Sequence, residues 1–173
     1  MNKTIKFLAA FLILITLCAA LTACAEKPAK DPETAKDALE DKGYEVMETD
    51  DGSYACEALN ATLWNLHSEW DFGFSQNALD SATDEITDIL GGDSVTLKDL
   101  DEFVVGIHWE EKDFAAIFYF DSRAAAKDAY KDQLEKIFEI ASDLINDQEY
   151  KITYGMSGSM IWFGTESAIK ATK

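Results

Sequence analysis

The run Asp113-Phe114-Ala115-Ala116-Ile117-Phe118-Tyr119-Phe120 is apolar at every position after the first. Successive side chains of a strand point to opposite faces, so a run without polar alternation suits a central strand covered on two sides. Just before it, Phe103, Val105, Ile107 and Trp109 share one face of a second strand, and Val104, Gly106, His108 and Glu110 share the other. The link Glu111-Lys112 is short enough to make the two strands a hairpin.

Around this hairpin the period changes from two to about 3.6. Ala35, Ala38 and Leu39 form one side of a short helix over residues 33–42, and Gly43 stands where a left-handed cap is needed. Residues 44–48 alternate and read as a strand, and Asp50-Asp51-Gly52 turns the chain. Ala55, Leu59, Leu63, Leu66 and Trp70 give a helix over 54–70. Leu79, Ala82, Ile86, Ile89 and Leu90 give another that ends at Gly91-Gly92, so 54–92 reads as a helical hairpin with an aromatic tip. Ser122 caps a long helix to about residue 146, with Ala126, Ala129, Tyr130, Leu134, Ile137, Ala141, Leu144 and Ile145 on its buried stripe. Strands over 150–154 and 160–163 flank the link 155–159, and Thr165 opens a last short helix.

This order predicts an α+β fold: a mostly antiparallel sheet with helices packed on one face. Tyr119-Phe120-Asp121-Ser122 leading into an alanine-rich helix, then Tyr154-Gly155-Met156-Ser157-Gly158 and Phe163-Gly164-Thr165, resemble the pattern of small lipoproteins of gut Gram-positive bacteria with a ferredoxin-like build. The resemblance implies that build for the second half of the chain, carries no catalytic assignment, and makes 54–92 an inserted helical hairpin.

The first residues have the layout of an export signal. Lys3 and Lys6 precede an apolar stretch, Phe7 to Leu21, broken only by Thr16, and small residues lead to Cys24. A membrane-spanning helix needs about 20 apolar residues, and this stretch is shorter. Leu21-Thr22-Ala23-Cys24 resembles the lipobox of bacterial lipoproteins. That likeness implies cleavage before Cys24, lipidation of its thiol with fatty-acyl (palmitate-type) chains, and anchoring on the outer face of the cell membrane. Two acyl chains hold stably where one is marginal. The expected organisation is a signal peptide over 1–23, a lipid-anchored linker over 24–32 with two prolines and mixed charge, and a single domain over 33–173.

Loss of the signal removes Lys3 and Lys6 and no acid, taking the net charge from −18 to −20. Such a field repels nucleic acid and anionic surfaces and attracts cations and cationic peptides. Cys18 leaves with the signal and Cys24 carries the lipid, so Cys56 has no disulfide partner within the domain; Tyr54-Ala55-Cys56-Glu57 matches no cysteine-enzyme signature.

Neither His67 nor His108 has a second histidine at metal-ligand spacing, and no acidic stretch has the alternation of a calcium loop, so neither metal nor cofactor is expected. There is no Gly-x-Ser-x-Gly elbow, and Gly155-Met156-Ser157-Gly158 lies between strands, where it reads as a turn rather than a phosphate loop. His108 and Glu110 stand two residues apart on a strand and form the one acid–base pair the pattern offers. The run from Leu63 to Phe74 holds Trp64, His67, Trp70, Phe72 and Phe74, which could form a platform for a sugar ring, a peptide or a cationic group; core packing is the competing role for Trp70, which shares a stripe with Leu59 and Leu66. The resulting expectation is a membrane-tethered, extracytoplasmic, non-catalytic binding module for an envelope protein, glycan or cationic ligand. A structural or inhibitory envelope protein is the alternative, and a hydrolase using His108 and Glu110 ranks third.

Overall fold

The computed structural model describes residues 27–70, 81–82, 85, 96–145 and 150–173; for Trp64, His67, Ser68 and Leu144, within these, it describes the backbone alone. In chain order the elements are α1 (Pro32–Glu40), β1 (Glu45–Thr49), α2 (Gly52–Trp70), β2 (Leu100–His108) and β3 (Asp113–Phe120). A long helical stretch follows as α3 (Arg123–Ala129), a π-helical turn (Tyr130–Leu134) and α4 (Glu135–Ile145), then β4 (Ile152–Ser157), β5 (Met160–Thr165) and α5 (Glu166–Ala171).

Local chemistry sets the helix ends. The Asp31 carboxylate accepts from Thr34 N at 2.9 Å and from Thr34 Oγ1 at 2.7 Å, and Pro32, which has no N–H to satisfy, opens the first turn of α1. At its other end Gly43 turns left-handed (φ 85) and Tyr44 N bonds back to Leu39 O at 3.1 Å. Asp51 caps α2 through Ser53 N at 2.9 Å, and Ser122 caps α3 through Ala125 N at 3.1 Å. Thr165 likewise accepts from Ala168 N at the start of α5.

The five strands are antiparallel in the order β1-β2-β3-β5-β4. The α+β class and the antiparallel sheet are therefore as the sequence predicts. β3 and β4 run parallel to each other, are joined by the long helical stretch, and have β5 between them, which makes a split β-α-β unit of the ferredoxin-like kind. From α2 onward the elements run helix-strand-strand-helix-strand-strand, the cyclic order of a ferredoxin-like fold begun at a different helix, with β1 added beside β2.

Helices cover both faces, not one. On the first face α2, the π-helical turn and α4 bury Leu59, Leu66, Trp70, Leu134, Ile137 and Phe138 against Phe103, Phe114, Phe118 and Phe163. On the second, α1 and α5 bury Ala35, Leu39, Ala168 and Ile169 against Val104, Ala115, Ile117 and Trp162. The apolar run of β3 demands this, since Ala115 and Ile117 would otherwise face water. For the same reason α2 is part of the core: its stripe supplies much of the helical cover of the first face. The second arm of the expected hairpin falls mostly outside the described residues, although Ala82 is buried and Glu85 pairs with Lys136 of α4 at 2.9 Å.

Two local readings change. Gly155 lies inside β4, and the turn is Gly158-Ser159, with Gly158 left-handed (φ 67). Gly155 is small because the Trp162 ring lies over it, and an added Cβ would sit 2.9 Å from Trp162 Cζ2. The expected linker is also shorter. Pro28 is buried, Ala29 N donates to Thr172 Oγ1 at 3.1 Å, and the Tyr119 hydroxyl donates to Ala29 O at 2.9 Å, so the chain is seated on the domain before α1 begins.

Candidate functional site

The two turns of the sheet mark opposite ends. The β2–β3 turn over residues 109–112, the last turn of α2 and the start of α5 lie at one end. The β4–β5 turn, the start of α2 and the start of α3 lie at the other. The first end gathers aromatic rings. Trp70 ends α2 and is only 4% exposed, stacked on Tyr150 at 6.2 Å, tilted against Phe114 at 6.1 Å and edge-on to Trp109 at 6.4 Å. Lys112 Nζ donates to Trp70 O at 3.3 Å, placing a cation at the negative end of the α2 dipole.

Trp109 is the outer ring of this group, 39% exposed, and its Nε1 donates to Glu45 Oε2 at 2.9 Å. The ring thus meets Trp70 edge to face, its polar edge is held by Glu45 of β1, and part of it meets solvent. A ring held in one orientation loses little entropy when a ligand packs on it.

Of the residues singled out in the sequence, Trp70 is a core residue. Trp64 and His67 lie on α2, and Phe72 and Phe74 lie outside the described residues, as does Cys24. Trp109 was assigned to the same strand face as Val105 and Ile107, but β2 ends at His108 and Trp109 opens the turn. The signal for its exposure was in the sequence: it is followed at once by Glu110, Glu111 and Lys112.

His108 belongs to the same end but to the second face. Its Nδ1 accepts from Glu111 N at 3.2 Å, which fixes the proton on Nε2, and its ring meets Tyr44 edge-on at 5.3 Å. The Tyr44 hydroxyl donates to Asp113 Oδ2 at 3.3 Å, and Ser167 Oγ donates to Asp113 Oδ1 at 2.6 Å. Burial and the Asp113 charge push the Tyr44 hydroxyl above the ordinary tyrosine range. These bonds tie the β2–β3 hairpin to α1 and α5, and the partner they give His108 is the Glu111 backbone.

The charge is gathered elsewhere. Carboxylate oxygens of Glu33, Glu48 and Glu102 lie within 4.8 Å of one another, an oxygen-rich set of the kind hard cations take. Lys36 Nζ already stands 2.7 Å from Glu48 Oε2 and supplies the countercharge. Burial, and then the charges of Glu48 and Glu33, hold the Glu102 carboxyl above its usual range. Cys56 is half-buried and burial pushes its thiol up to about 11, so it is protonated at neutral pH and a poor nucleophile.

Comparison with known proteins adds no relative: no family model matches the chain, and neither a curated protein nor a solved structure matches it. Among the described residues, no helix is long and apolar enough to cross a membrane.

Proposed function

We propose that the chain is a lipid-anchored protein of the outer face of a bacterial cell membrane, acting there as a non-catalytic binding module whose contact surface is the aromatic end of the sheet. The anchor rests on the charged start, the short apolar stretch and Leu21-Thr22-Ala23-Cys24. The contact surface rests on one observation, the exposed Trp109 ring backed by buried Trp70 and oriented by Glu45. Monomeric folds expose scattered apolar side chains as a rule, but a pre-oriented tryptophan at an element junction has the properties of an interface anchor. The acidic surface makes a nucleic acid an unsuitable partner and a cationic or neutral one suitable.

The test uses residues 25–173 immobilised and exposed to solubilised envelope, with Trp109→Ala and, at the opposite end, Lys98→Ala as the comparison. Loss of an interface anchor costs about 2 kcal/mol, roughly 30-fold in affinity, so a component held by wild type and by Lys98→Ala should be lost from Trp109→Ala. Equal recovery of every component by all three proteins overturns the assignment of this surface.

A further inference from the structure

The way the chain enters the fold sets which end of the molecule a lipid anchor can hold. Lys27 is exposed and its Nζ donates to Ser157 Oγ at 3.4 Å, next to the β4–β5 turn. Pro28 is buried, and both backbone polar groups of Ala29 are bonded, the N–H to Thr172 and the carbonyl to the Tyr119 hydroxyl. These bonds span the second face from β3 to the end of α5, so residues 28 and 29 are part of the packed domain and cannot act as a swivel. α1 then runs away from this end, since Lys36 meets Glu48 early in the helix and Gly43 meets the His108 ring beyond its close.

Only three residue steps separate Cys24 from Lys27, a reach of at most about 11 Å. The β2–β3 turn lies at the far end of β3, eight residues long and so about 27 Å from end to end. α2, of 19 residues, runs the same way, from its cap beside Leu97 to Trp70, over about 28 Å. The free reach is well under half the length of the domain.

We propose that residues 27–29 are a clamp that fixes the domain upright on the membrane, with the β4–β5 turn next to the headgroups and Trp109 held outward by the length of the sheet. This rests on the lipoprotein reading above. It adds a restriction on the partner: a macromolecule that stands clear of the bilayer surface, on the wall side, and not one embedded in the lipid.

The full chain, acylated at Cys24 as verified by mass spectrometry, is reconstituted in vesicles of three parts phosphatidylcholine to one part phosphatidylglycerol that carry a headgroup spin-label quencher. A single fluorophore is attached in a Cys56→Ala background at Ser159→Cys or at Glu110→Cys. The expected result is loss of most of the fluorescence at position 159 and little loss at position 110. Insertion of a flexible Gly-Ser segment between Cys24 and Lys27 should make the two positions equal, because a long random linker lets the domain tumble. Equal quenching without the insertion, or stronger quenching at position 110, overturns the clamp while leaving the anchor intact. A chain found without acyl groups on Cys24 overturns the lipoprotein reading itself, and the clamp with it.

Discussion

Glu102 stands on β2 beside Glu33 and Glu48, half-covered, with Lys36 as the countercharge for the group. Its carboxyl binds a proton more tightly in the folded state than its ordinary value of 4.5 implies, first through burial and then through the neighbouring charges. The sign follows: the stability it contributes is fully present below that ordinary value and is lost as pH rises through the raised one. At neutral pH the ionised side chain is a net cost. Glu102→Gln should therefore raise the thermal midpoint at pH 7, with a gain that shrinks to nothing as the pH is taken below 4.5 in a series of thermal melts. A pH-independent gain would assign the effect to packing. At this scale the sequence was legible where the chemistry is local: Ser122, Thr165 and Gly43 all do what their types and positions imply. It was only partly legible for the tryptophans, since the stripe shared with Leu59 and Leu66 pointed Trp70 to the core while the same run also suggested a binding platform. Trp109 continues an apolar alternation yet is exposed, which the charged run after it signals, but what each ring packs against comes from residues far away in the chain. Trp162 shows the same limit: its Nε1 is buried with no hydrogen-bond partner among the described residues, a cost no local pattern announces.

The elements were easier to read than their departures from regularity. Ala126, Tyr130, Leu134 and Phe138 recur at intervals of four, and all four are buried or packed on the core. On a helix of 3.6 residues per turn a spacing of four drifts by about 40° at each step and would carry the stripe off the sheet. The π-helical turn at Tyr130–Leu134 widens the helix where the drift accumulates, so Phe138 still stacks on Phe163 at 4.9 Å. Sequence periodicity located the helix but passed over Phe138, which is fully buried, because the reading assumed one constant pitch. The start of this stretch rests on a single side chain. Ser122→Ala should cost about 1 kcal/mol in urea unfolding by removing the acceptor for Ala125 N, and Ser122→Asp should restore it; equal midpoints for wild type and Ser122→Ala would show that the cap adds nothing.

At the scale of the whole molecule, strand order was the part the sequence did not reveal. Neighbours in the sheet are chosen by packing between distant segments, and an apolar strand in isolation does not say which partner it takes. The demand for cover on both faces could nevertheless be read from β3 alone, and it is met by the two shortest of the described α-helices apart from α3. The anchor is testable directly: mass spectrometry of the mature N-terminus should find Cys24 as the first residue with acyl groups on it, and an unmodified Cys24 or cleavage elsewhere would end the lipid assignment. The clamp on residues 27–29 has one more consequence. Ala29 and Thr172 are 143 positions apart, so the hydrogen bond that seats the start of the domain cannot close until the end of the chain has folded onto it. On the proposed lipoprotein reading, the acylated start of the chain would take its fixed place on the domain only as the last helix packs. Under that proposal, upright posture on the cell surface would report that the chain has finished folding.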